Sequence, residues 1–123
     1  MAEARGRVLG AEHPETLAAR IGLASCTGRA GDVAGARDQY TALVPVLERV
    51  SGAEYPETLA ARANLAAWVG EAGDAAGARD QYAALLLIRK RVLGPEHPET
   101  QAVREELAYW TDEADGGVSR GVK

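Results

Sequence analysis

Apolar residues in this chain recur every three or four positions. Leu17, Ile21 and Ala24 form one stripe, Leu59, Ala63 and Ala66 repeat it, and Val103, Leu107 and Trp110 supply a third. That spacing turns one face of an α-helix toward a core and leaves the other in water. Nothing alternates in the two-residue rhythm of a half-buried strand, so the pattern predicts an all-α chain. A second family of stripes runs through Ala36, Tyr40, Leu43 and Leu47, and again through Ala78, Tyr82, Leu85, Leu86 and Val92. Small residues at its start (Gly35, Ala36; Gly77, Ala78) permit close approach of two helix axes, and Tyr40 or Tyr82 one turn later fills the wider gap.

The polar punctuation between stripes sets the helix ends. Pro14, Pro56 and Pro98 each open a Pro-Glu-Thr triplet. Proline suits a first helical turn, where its missing N–H would have no partner, and the following glutamate favours the positive helix end. Helices are therefore expected to begin near 14, 56 and 98. Gly31 and Gly73 can close the first helix of each pair in the left-handed conformation, and Asp32 and Asp74 can cap the next helix, which ends at Gly52 or Gly94. Pro45 falls inside one such second helix, where it removes the bond to the Thr41 carbonyl and predicts a kink between Thr41 and Pro45.

These signals are periodic. GAEHPETLAAR at 10–20 returns as GAEYPETLAAR at 52–62 and nearly again as GPEHPETQAVR at 94–104, while AGDVAGARDQY at 30–40 returns as AGDAAGARDQY at 72–82, always 42 residues apart. A helical hairpin cannot bury its apolar side alone, so identical neighbours must cover it; the sequence repeats because the packing problem repeats. The expected organisation is one array over 1–113: a half repeat over 1–13, whose ARGRVLG matches IRKRVLG at the end of a second helix, a repeat over 14–55, a repeat over 56–97, and a capping helix over 98–113. Residues 114–123 are glycine-rich, lack an apolar face and are expected to fray.

A hairpin with small residues at its crossing, Leu-Ala in its first helix and Gly-Asp at its turn resembles the tetratricopeptide repeat, over about residues 8 to 112. The usual period is about 34 residues; the longer one here, with its His-Pro-Glu-Thr start, is similar to the kinesin light chain type, as found in actinobacterial regulators. The resemblance implies a tetratricopeptide-like α-solenoid of antiparallel helical hairpins whose first helices line a concave groove, holding a peptide or helical segment of a protein partner. It places Ala18, Ile21, Gly22, Ser25 and Arg29 there from the first unit, Ala60, Ala63, Asn64, Ala67 and Glu71 from the second, and Ala102, Glu105, Glu106, Tyr109 and Asp112 from the third. Ile21, Ser25, Arg29, Asn64, Ala67, Glu71, Glu105 and Tyr109 are the candidate contacts. Kinesin light chain repeats commonly carry two asparagines before Leu-Ala; of the tetrads 21–24, 63–66 and 105–108 only Asn64 matches. The carboxylate clamp of chaperone-binding relatives is absent, since its positions hold Ala18, Gly22, Ala60, Asn64, Ala102 and Glu106.

Charge and chemistry narrow the partner further. A net charge of −4 argues against nucleic acid, and the lack of a long apolar run or leader argues against membranes and export, pointing to the cytoplasm. The groove is floored by small side chains and turns acidic toward its C-terminal end, which suits a peptide with basic residues at one end. No phosphate loop, metal-binding helix, nucleophile elbow or paired cysteine occurs, so neither an enzyme nor a cofactor or metal is expected. Cys26 is expected to be a small buried hydrophobe, and His13 and His97 to cap helices. Arg20, Arg62 and Arg104 share a repeat position, which suggests one local polar partner copied three times. Trp68 and Trp110 share another and are expected to pack inward on the preceding second helix. A second function class is self-assembly, in which the C-terminal half unit of one chain completes the N-terminal half unit of the next to build a homo-oligomer.

Overall fold

The computed structural model describes residues 13–116; the half repeat expected over 1–13, save His13, and the tail beyond Gly116 lie outside them. Five helices follow in order: α1 (Pro14–Arg29), α2 (Val33–Val50), α3 (Pro56–Glu71), α4 (Ala75–Leu93) and α5 (Pro98–Ala114). Among the described residues there is no strand. The prolines open α1, α3 and α5 as expected. In α1 and α5 the histidine before the proline completes the cap, its Nδ1 accepting the Glu15 or Glu99 amide at 3.1 Å; Tyr55 has no such atom to offer α3 and makes no side-chain cap.

The hairpin turn is built twice from the same parts. At the end of α1, Gly31 takes φ +107, its amide donates to the Gly28 carbonyl, and the Asp32 amide donates to Thr27. This pair of bonds satisfies the last carbonyls of a helix. Asp32 then turns its carboxylate onto the Gly35 amide at 2.9 Å and starts α2. Gly73 (φ +110) and Asp74 do the same between α3 and α4. One residue thus serves as the end of one helix and the cap of the next, which holds the turn to three residues.

Packing proceeds from unit to unit. Leu17 and Ala24 of α1, Tyr40, Leu43, Val44 and Leu47 of α2 and Ala61 of α3 make one core; Leu59 and Ala66 of α3, Ala78, Tyr82 and Leu85 of α4 and Val103 and Trp110 of α5 make the next. The extensive helix contacts join neighbours in the chain, α1 to α2 through α4 to α5. Two cores in series, each closed by the first helix of the next hairpin, are the signature of a solenoid. The threonine of Pro-Glu-Thr links them: Thr58 and Thr100 are fully buried, and their Oγ1 atoms donate to the carbonyls of Leu47 (3.4 Å) and Arg89 (3.3 Å) on the preceding second helix.

Three expectations need correction or refinement. Cys26 is exposed, not buried; it occupies the repeat position of Trp68 and Trp110, whose burial comes from the preceding unit, and no described residue precedes α1 far enough to cover it. Arg20, Arg62 and Arg104 share no polar partner among the described residues; Arg20 instead lines a hollow with Leu23, Asp38, Gln39 and Ala42. The helix over Val33–Val50 is unbroken at Pro45. Pro45 faces solvent, as does its repeat mate Leu87. Substituting Pro45→Leu should restore one backbone bond on an open surface and raise stability by about 1 kcal/mol in chemical denaturation.

Candidate functional site

The wall between units is organised by the tyrosines of the second helices. The Tyr40 hydroxyl lies 2.6 Å from Ser25 Oγ, donates toward the Ile21 carbonyl at 3.4 Å, and accepts from Asn64 Nδ2 at 3.3 Å. This one hydroxyl joins α1, α2 and α3, and it holds the Asn64 amide at the surface with its carbonyl oxygen free of any described partner. An oriented amide with an unused acceptor is suited to the backbone of a bound segment. Ile21 is half-buried and packs against the first core, so less of it faces outward than the groove assignment implies.

The next unit replaces two of these groups. Tyr82 still donates to a first-helix carbonyl, that of Ala63, at 3.1 Å. Ala67 stands in the place of Ser25, and Glu106 in the place of Asn64. Without the serine hydroxyl, and with a carboxylate instead of an amide, the space opens into a pocket of about 330 Å³. Its floor is Ala63, Ala67, Ala102 and Val103, and its polar groups come from Asn64, Tyr82, Arg89, Glu99 and Glu106. Burial first, and then the charge of Glu106, push the Tyr82 phenol above its ordinary range, so it remains a neutral donor. Glu106 accepts from Trp110 Nε1 at 3.2 Å. Arg89 is 6% exposed, pairs through Nη1 with Glu99 Oε1, and keeps its Nε buried without an acceptor.

Of the candidate contacts, the structure brings Asn64 and Ala67 into this pocket and ties Ser25 to Asn64 through Tyr40. Arg29 and Glu71 are exposed at the last turns of α1 and α3. Glu105 and Tyr109 are exposed on α5 but are not among the pocket's lining residues; the Tyr109 ring stands edge-on to Trp110, with centroids 4.7 Å apart. Sequence reasoning missed Tyr82, Arg89 and Glu99 as wall residues. A signal for Arg89 existed, because it stands where the first unit has the core residue Leu47.

A family model described as a tetratricopeptide repeat matches residues 58–99, one full period from the buried Thr58 to Glu99 in the first turn of α5. The solved structure of a Podosopora anserina protein described as a kinesin light chain with nearly identical TPR-like repeats superposes on 98% of the chain with a TM-score of 0.81 at 28% identity. Residues 58–99 match the tetratricopeptide repeat, and the fold of the array is similar to that of kinesin-light-chain-like repeats. A variant of that protein matches at TM-score 0.77 and 27% identity over 94% of the chain. The array spans 56% and 54% of these two structures. No curated protein matches it. Among the described residues of the array, no helix is long and apolar enough to cross a membrane.

Proposed function

We propose that this array binds a peptide or helical segment of a partner protein in the groove floored by α1, α3 and α5. Tetratricopeptide repeats are non-catalytic scaffolds that mediate protein interaction or assembly, and the observation favouring groove binding is the pocket around Asn64, Ala67 and Glu106. Small alanines let a backbone approach closely, and the flanking amide and carboxylates supply directional contacts. The candidate residues Ile21, Ser25, Arg29, Glu71, Glu105 and Tyr109 extend the same surface in this reading.

Assembly by end-to-end stacking receives less support. The face that α1 and α3 turn toward the helices that follow them carries Leu17 or Leu59, Ala24 or Ala66, and Gly28 or Gly70, all buried. The corresponding face of α5 carries exposed Gln101, exposed Ala108 and half-buried Asp112. A second helix from another copy would find little apolar surface there, and residues 98–113 read as a cap. The test is capture of partners from the source organism by wild-type, Asn64→Ala and Ala67→Arg chains, with light scattering on each. Asn64→Ala should weaken capture and Ala67→Arg should abolish it, both at unchanged mass in solution. Undiminished capture by Ala67→Arg would remove the groove reading, and a mass that grows with concentration would favour stacking.

A further inference from the structure

Position 89 is leucine in the first unit, as Leu47, and arginine in the second, and both are buried. Leucine there simply joins the core. Arginine brings a charge out of water with its Nε left without an acceptor, so packing does not account for it. What it accomplishes is local: its Nη1 holds the Glu99 carboxylate, itself 60% exposed, at the pocket wall. Arg89 is the single cation lining the pocket, and Glu99 neutralises it. The charge of Glu106 has no such counterpart among the lining residues.

Resting on the groove reading above, we infer that the pocket between α3, α4 and α5 is the groove's anchor subsite, and that it takes a lysine or arginine side chain of an extended partner peptide. The methylenes of such a side chain lie over Ala63, Ala67 and Ala102, and its cationic end reaches Glu106 beside the fixed Glu99. Asn64 at the rim meets the peptide backbone. Glu106 is the binding residue, while Arg89 is a positioning residue that acts through Glu99. The neutral Tyr82 hydroxyl adds no competing charge. An acidic side chain would meet two carboxylates at the mouth with the one cation already paired.

The test is a heteronuclear NMR titration of the full chain with the blocked peptide acetyl-Ala-Ala-Lys-Ala-Ala-amide and with its norleucine and glutamate counterparts. The signals followed are the Trp110 indole N–H, which donates to Glu106, and the Asn64 side-chain amide. The lysine peptide should shift both saturably, and the norleucine peptide should bind more weakly. Glu106→Gln, which keeps an acceptor for Trp110 while removing the charge, should weaken the lysine peptide roughly fivefold. Equal binding of lysine and norleucine peptides, preference for glutamate, an unchanged titration with Glu106→Gln, or no shift with any peptide would overturn the anchor. Partner capture separates the two readings: if it is lost with Ala67→Arg while any of these outcomes holds, the groove stands without its anchor.

Discussion

Truncating Trp110 to alanine should cost the fold about 3–5 kcal/mol, the range for a large aromatic removed from a core. The residue is 6% exposed and packs with Tyr82 and Leu85 of α4. Its six-membered ring also lies over Gly70 of α3, where a Cβ would meet indole carbons at 2.6 Å. Trp68 lies over Gly28 of α1 in the same way, with a virtual Cβ 2.4 Å from the ring. Each tryptophan therefore reaches past its own hairpin to the first helix of the preceding one. Gly70→Ala should lower stability by up to about 2 kcal/mol, the overpacking of roughly 1–3 kcal/mol being offset in part by the gain of about 1 kcal/mol that alanine normally brings to a helix interior. Gly22→Ala should show the bare helix effect, a gain of about 0.5–1 kcal/mol, since nothing lies within 4 Å of a Cβ there. In a double-mutant cycle the Gly70→Ala penalty should vanish once Trp110 is alanine; strict additivity would show that the two do not interlock. Contacts run mainly between neighbours in the chain, so hydrogen exchange in the Trp110→Ala chain should rise first in α5 and least in α1.

What was legible in the sequence was whatever is decided within a few residues or by comparing copies. Proline at the first turn, aspartate at the cap and glycine at the close act locally, so the helix ends near 14, 56 and 98 and the Gly31 and Gly73 turns could be read directly. The period implied stacking, and the stacked cores follow it. Contacts between units were less accessible. The Thr58 and Thr100 hydroxyls serve carbonyls of a different helix, and no local signal distinguishes a threonine that does so from one facing water. The tryptophans were expected on the preceding second helix, and their seat on Gly28 and Gly70 adds a contact with the preceding first helix. The column Gly28, Gly70, Asp112 carried that information, since a glycine kept in two copies and lost in the third marks where a large neighbour sits and where it stops. Cys26 failed for a related reason: the tryptophans at its repeat position are covered by the preceding unit, and the described residues include no unit before α1.

Arg89→Leu should stabilise the array by about 2 kcal/mol, measured as a shift in denaturation midpoint at constant slope. Replacing a buried charge with a hydrophobe of the neighbourhood's own kind removes the desolvation cost. Leu47 shows that the position accepts leucine at full burial. Glu99, 60% exposed, remains solvated when its partner goes, so no uncompensated charge is left behind. The same substitution should weaken the lysine peptide while leaving the Glu106–Trp110 bond in place, because Glu99 loses the guanidinium that holds it at the wall. A gain in stability joined to a loss of affinity is what a residue retained for binding produces. A chain that loses stability on Arg89→Leu would instead make the ion pair a structural strut, and the buried, unpartnered Nε would then need another cause.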